Sequence, residues 1–110
     1  MTDQPLFLPT KDRKREELDA LLNTLAPNVY FQPKTNVKIE YPCIVYERDY
    51  RSTQFAGNLP YRSTKRYQVT IIDQDPDSEI PDKVAALPMS AFQRHFAADN
   101  LNHDIYSLYY

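Results

Sequence analysis

A single glycine, Gly57, serves 110 residues, and nine prolines stand beside it. Phosphate-wrapping loops of the dinucleotide-binding and P-loop kinds need several glycines at fixed spacing, because only glycine lets the backbone approach the ligand so closely. One glycine excludes both, and with them the glycine-flanked nucleophile elbow of the α/β-hydrolases. The length suits one domain with a modest core. No apolar stretch reaches the length of a membrane span, and no basic region followed by a long apolar run marks a secretory signal. The lone cysteine, Cys43, cannot form an internal disulfide, which excludes a disulfide-stapled scaffold. Thirteen Lys and Arg against 15 Asp and Glu leave a net charge of −2, where a dedicated nucleic-acid binder carries a basic surplus.

The prolines divide the chain. Residues 1–9, with Pro5 and Pro9, read as an extended arm, and 10–110 as one α+β domain. Leu18, Leu21, Leu22 and Leu25 fall at i, i+3, i+4 and i+7, which predicts a helix from Thr10 to about Leu25. Thr10 or Asp12 can cap it and Pro27 ends it. A short strand is expected at 28–32 and a second at 42–48. Residues 49–63 show no clear period, hold Gly57, Asn58 and Pro60, and read as a long loop, a feature usually tied to function. Tyr67, Val69 and Ile71 alternate with Gln68, Thr70 and Ile72, a half-buried strand over 65–73. Asp75-Pro76-Asp77-Ser78 supplies turn and cap chemistry for a short helix over 79–87, with Ile80, Val84 and Leu87 on one side. Two strand-like runs, 91–97 and 104–109, read as a closing hairpin joined by 98–103. The whole predicts a small antiparallel or mixed sheet of about four to five strands, with an N-terminal helix and a short second helix packed on it.

The candidate chemistry is thin. Asp73, Asp75 and Asp77 open like a calcium loop, but its sixth position is Ser78 rather than glycine and its twelfth Val84 rather than glutamate. A strand end followed by a helix cap explains them better. His95 and His103, with Asp99 and Asp104, would need a hairpin to bring them to one metal. Zinc sites normally show Cys/His pairs at short spacing. Cys43 sits in an apolar run, the usual place for a structural thiol. The expectation is a protein with no catalytic, cofactor-binding or metal-holding residues.

Charge is distributed unevenly. Residues 48–66 carry Arg48, Arg51, Arg62, Lys65 and Arg66 against Asp49, and 67–110 carry seven acidic residues against Lys83 and Arg94. Basic and acidic patches on different faces let copies dock head to tail, and such a contact closes into a ring when the rotation allows. The alternative is that the patches neutralise each other within one fold. Nine Tyr and five Phe suit half-buried contacts, and equally suit a strand-rich domain.

Tyr41-Pro42-Cys43-Ile44-Val45-Tyr46-Glu47, followed by a polar stretch and Tyr67-Gln68-Val69-Thr70-Ile71, resembles the tail terminator, or tail-to-head joining, proteins of long-tailed bacteriophages. The residues from Asp77 to Val84, then Met89 to Phe96, then Asp99-Asn100-Leu101-Asn102-His103-Asp104 through Tyr110 are similar to the same group. The resemblance covers about residues 10–110 and rests on strand and turn signatures. It implies a homohexameric ring that caps the tail tube, stops its polymerisation and joins it to the head connector or stopper protein. The implied locations are the virion at the tail–head junction and the host cytoplasm during assembly, with no cofactor, no reaction and no membrane. On the residues themselves, Arg51, Arg62, Lys65 and Arg66 are expected to contact a neighbouring subunit or DNA in a lumen. Phe55 and Leu59 are expected to enter a partner or to form a local core. Tyr106, Tyr109 and Tyr110 are expected to anchor an interface or to pack across the hairpin. Other readings are a head-side connector or stopper component, a small metal-dependent nuclease using Asp73, Asp75, His95 and His103, and a monomeric binder of a host protein.

Overall fold

The computed structural model describes residues 13–56 and 59–110 and, within these, the side chains of all but 13 and 51–64. The expected arm over 1–9, the Thr10 or Asp12 cap and Gly57 lie outside them. The elements run α1 (Arg13–Asn23), β1 (Val29–Phe31), β2 (Cys43–Ala56), β3 (Leu59–Asp73), α2 (Ile80–Ala85), β4 (Ser90–Ala98) and β5 (Leu101–Tyr109). The strands form one sheet in the order β1-β2-β3-β5-β4. β1 is parallel to β2, and every other pairing is antiparallel. The fold is α+β, with a mixed five-stranded sheet and two helices.

The core lies between the helices and one face of this sheet. Leu18 and Leu22 of α1 and Ile80 and Val84 of α2 join one cluster with Ile44, Tyr46, Tyr67, Val69, Ile71, Tyr106 and Leu108. Alternation along the strands selects these residues, since positions i and i+2 share a face. The helix stripe therefore meets the strand stripe, and Leu18 and Leu22 are fully buried. Past Asn23 the helix tightens, with Leu25 donating to the Leu22 carbonyl at 2.9 Å, before Pro27 stops it. Tyr46 ties α1 to the sheet. Its ring is fully buried against Phe31 and Tyr67, and its hydroxyl donates to Asp19 Oδ1 at 2.7 Å.

Among the described residues the other sheet face carries no helix. Cys43 and Ile105 are the buried hydrophobic residues that stand outside the main cluster, on this second face. Row neighbours across the strands run Cys43–Ile72–His103–Phe96 and Val45–Thr70–Ile105–Arg94.

Two sequence expectations are corrected here. Residues 49–63 are not a long loop, because β2 and β3 continue as a paired hairpin to Ala56 and Leu59. No apolar alternation is written into this part of the hairpin. Its strands are held by their ladder pairing. Second, β4 and β5 are joined not by 98–103 but by Asp99 and Asn100 alone, with Ala98 opposite Leu101. Both turn residues have positive φ, 55° and 63°, the geometry of a two-residue type I′ turn, which Asp and Asn tolerate.

Candidate assembly surfaces

The basic segment read from the sequence becomes the far half of the β2–β3 hairpin and its base. β2 is paired to β1 only at 44–46, and β3 is paired to β5 only from Arg66 onward, with the Tyr110 amide reaching Lys65 O at 3.1 Å. Among the described residues β2 and β3 pair beyond these points only with each other, Arg51 opposite Lys65 and Gln54 opposite Arg62. Arg51, Phe55, Leu59 and Arg62 thus fall on a two-stranded arm, and their side chains are outside the described residues.

Arg66 stands at the base of that arm. A β-bulge between Arg48 and Tyr50 inserts Asp49, whose carboxylate meets the Arg66 guanidinium at 3.0 Å. Arg66 also lies 5.1 Å over the Tyr50 ring, and Tyr109 is its register partner on β5. The hydrogen bond to Asp49, helped by Tyr109, holds the guanidinium charged more firmly than usual. The pair is solvent-exposed, so it orients the side chain more than it stabilises the fold.

The three tyrosines separate. Tyr106 is 6% exposed and packs edge-on against Phe92, its cross-strand neighbour, at 5.5 Å. Burial pushes its hydroxyl pKa up. It is a core residue, and the hairpin-packing reading is the one that fits. Tyr110 packs against the core cluster with Lys14 5.0 Å above its ring. Tyr109 is half-buried on the face opposite the core cluster.

The acidic segment lies at the other end of β3. Asp73 Oδ1 accepts the Asp75 amide at 3.0 Å, and Asp75 Oδ1 accepts the Asp77 amide at 2.9 Å. These are turn contacts that lead into α2. Arg62 and Asp73 are on one strand, separated by about 35 Å at ~3.3 Å per residue. That exceeds the Debye length of about 8 Å at physiological salt several-fold, so charges at these two positions are screened from each other.

The residues of the metal reading are dispersed. His95 bonds Asp104 at 2.8 Å on the helix face. His103 stacks on Phe96 at 4.5 Å on the opposite face, because consecutive residues of β5 alternate. Among the described residues no group of three or more His, Cys, Asp or Glu is placed to hold a metal ion.

From the closing hairpin the sequence reading named Tyr106, Tyr109 and Tyr110 as interface residues and none of β4. This strand is the sheet's border, almost wholly exposed, with Phe92 57% and Phe96 38% accessible and Met89 69% accessible before it. Four residues apart in a regular strand, Phe92 and Phe96 would share a face. The bulge between Phe92 and Arg94 switches the alternation and sends them to opposite faces. Nothing in the local sequence marks that bulge.

No protein-family model matches the chain, and a search of curated proteins returned no match.

Proposed function

We propose that this chain is a structural phage virion protein: a ring that caps the tail tube, ends its polymerisation and joins it to the head connector or stopper protein. The observation that carries the reading is the polarity of the subunit. A basic two-stranded arm and an acidic turn stand at opposite ends of β3, in a molecule 50 × 36 × 24 Å in extent. A subunit with complementary ends favours head-to-tail contacts, which are the contacts of rings. The family resemblance adds the tube, the connector and the hexameric count, together with a location at the tail–head junction of the virion after assembly in the host cytoplasm.

Stopping a polymer requires a ring with one face that copies the growing end and one that refuses the next subunit. Charge decides acceptance and refusal well, because like charges brought together cost several kcal/mol. In this reading the protein carries out no reaction and takes no cofactor. Its contacts are with its own copies, with the tube and connector proteins, and, through its cations, with DNA passing the lumen.

The test is to let the tail tube protein polymerise with increasing amounts of this chain and to image the tubes by electron microscopy. Tubes that stop lengthening, with this chain on one end, are expected. Tubes of unchanged length with bare ends would contradict the proposal.

A further inference from the structure

Two borders of the sheet are open, and their deficits match. β4 is nine residues long, and no strand among the described residues pairs with its outer side. Such an edge presents unpaired N–H and C=O groups, which is a template for another strand. On the opposite border β1 covers only 44–46 of β2, and the Gln32 side chain takes the Arg48 amide at 3.3 Å. From there the border opens into a groove lined by Gln32, Pro33, Val45, Glu47 and Arg48. Residues 49–56 have no outer partner among the described residues. They belong to the arm, which is two strands wide, and two-stranded ribbons are marginal in water without a third strand or a packed face.

We infer that copies of this chain join by strand addition, the outer edge of β4 in one copy pairing antiparallel with residues 49–56 of β2 in the next. This rests on the self-assembling reading above and names the interface it would use. The directions fit without adjustment. β2 and β5 run one way and β3 and β4 the other, so β4 meets the next copy's β2 antiparallel while the helices of both copies stay on one side. The lengths fit too, eight free residues against nine. The addition makes the arm a three-stranded sheet. It also displaces each copy along the strands, because β4 lies level with 41–48 of its own β2. Stagger of this kind is what closing a sheet into a ring requires.

The second copy is preferred over a β4–β4 pair on charge. An antiparallel β4–β4 contact centred on the strand sets Arg94 against its own copy, and like charges directly opposite destabilise a strand pair. It would also leave both arms two-stranded. Head-to-tail addition instead brings the exposed Asp99 of the β4–β5 turn to the level of Arg48 and Arg51 on the receiving strand.

The experiment is amide hydrogen exchange on the full chain, measured across a concentration series with the solution mass determined in parallel. As the mass rises from monomer to oligomer, amides in 90–98 and in 49–56 are expected to slow by about tenfold or more. The β5 amides and those of β3 from Arg66 onward, already paired on both sides, should change little. A full-size oligomer whose β4 amides exchange as fast as in the monomer overturns the strand pairing and leaves the ring standing. A monomer at every concentration overturns both. Gln93→Pro gives an independent check, since Gln93 is the bulge residue, the place where an edge strand tolerates proline. A folded Gln93→Pro protein should remain monomeric, and one that keeps the wild-type mass contradicts the inference. If this variant does not fold, the exchange result alone decides.

Discussion

Tyr46 shows how much one side chain fixes in this fold. Its ring fills the centre of the core and its hydroxyl reaches Asp19 on α1, so strand and helix are joined by packing and by a charged hydrogen bond. Tyr46→Phe keeps the ring and removes the bond. Hydrogen bonds to charged groups contribute about 1.5–3 kcal/mol. The Asp19 carboxylate is half-exposed and keeps the Asn23 amide at 3.2 Å, so the expected loss is at the lower end, about 1–2 kcal/mol by urea unfolding. Cys43 gives a pH signature. Burial, with Asp73 nearby, pushes its thiol from 9.0 to about 11. Between those values the unfolded chain releases a proton that the fold retains, so stability is complete below pH 9 and falls as pH rises toward 11. Burial also raises the Tyr46 hydroxyl, in the same direction. Melting temperature should drop across this window, and less steeply in Cys43→Ala than in wild type. A thiol reagent at neutral pH should leave Cys43 unmodified until denaturant is added.

The elements differ in how openly the sequence declares them. α1 was legible because four leucines at helical spacing answer to a core, and β3 because Tyr67, Val69 and Ile71 do. The far half of the hairpin was not. Its residues carry no period-2 apolar signal of the kind that reveals a strand, and Gly57, Asn58 and Pro60 read as a loop. The β4–β5 turn was overestimated for another reason. Leu101, Asn102 and His103 are mostly polar in order, and only the register shows them already in the strand. The turn itself is testable. Asn100 holds φ 63°, which glycine adopts freely and alanine does not. Asn100→Ala should cost about 1 kcal/mol and Asn100→Gly little or nothing, by thermal unfolding.

At the scale of the molecule, the sequence carried the charge segregation but not its geometry. Composition shows that 48–66 is basic and that 67–110 is acidic. Only β3, running unbroken from one to the other, separates them along a single axis instead of letting them meet. The aromatic contribution was harder to read. Tyr106 proved to be core, while Phe92 and Phe96, which looked like ordinary strand residues, stand exposed on an edge. Burial depends on which strand lies at the border, and strand order is not written locally. Among the described residues, an arm with no third strand, an edge with no partner and opposite charge at the two ends together describe a subunit suited to repetition. The direct measurement is solution mass by light scattering, over a concentration series at low and moderate salt. The account predicts a rise toward six 12.9-kDa subunits, weakening as salt screens the charged ends. A monomer that persists at every concentration and both salts would contradict it.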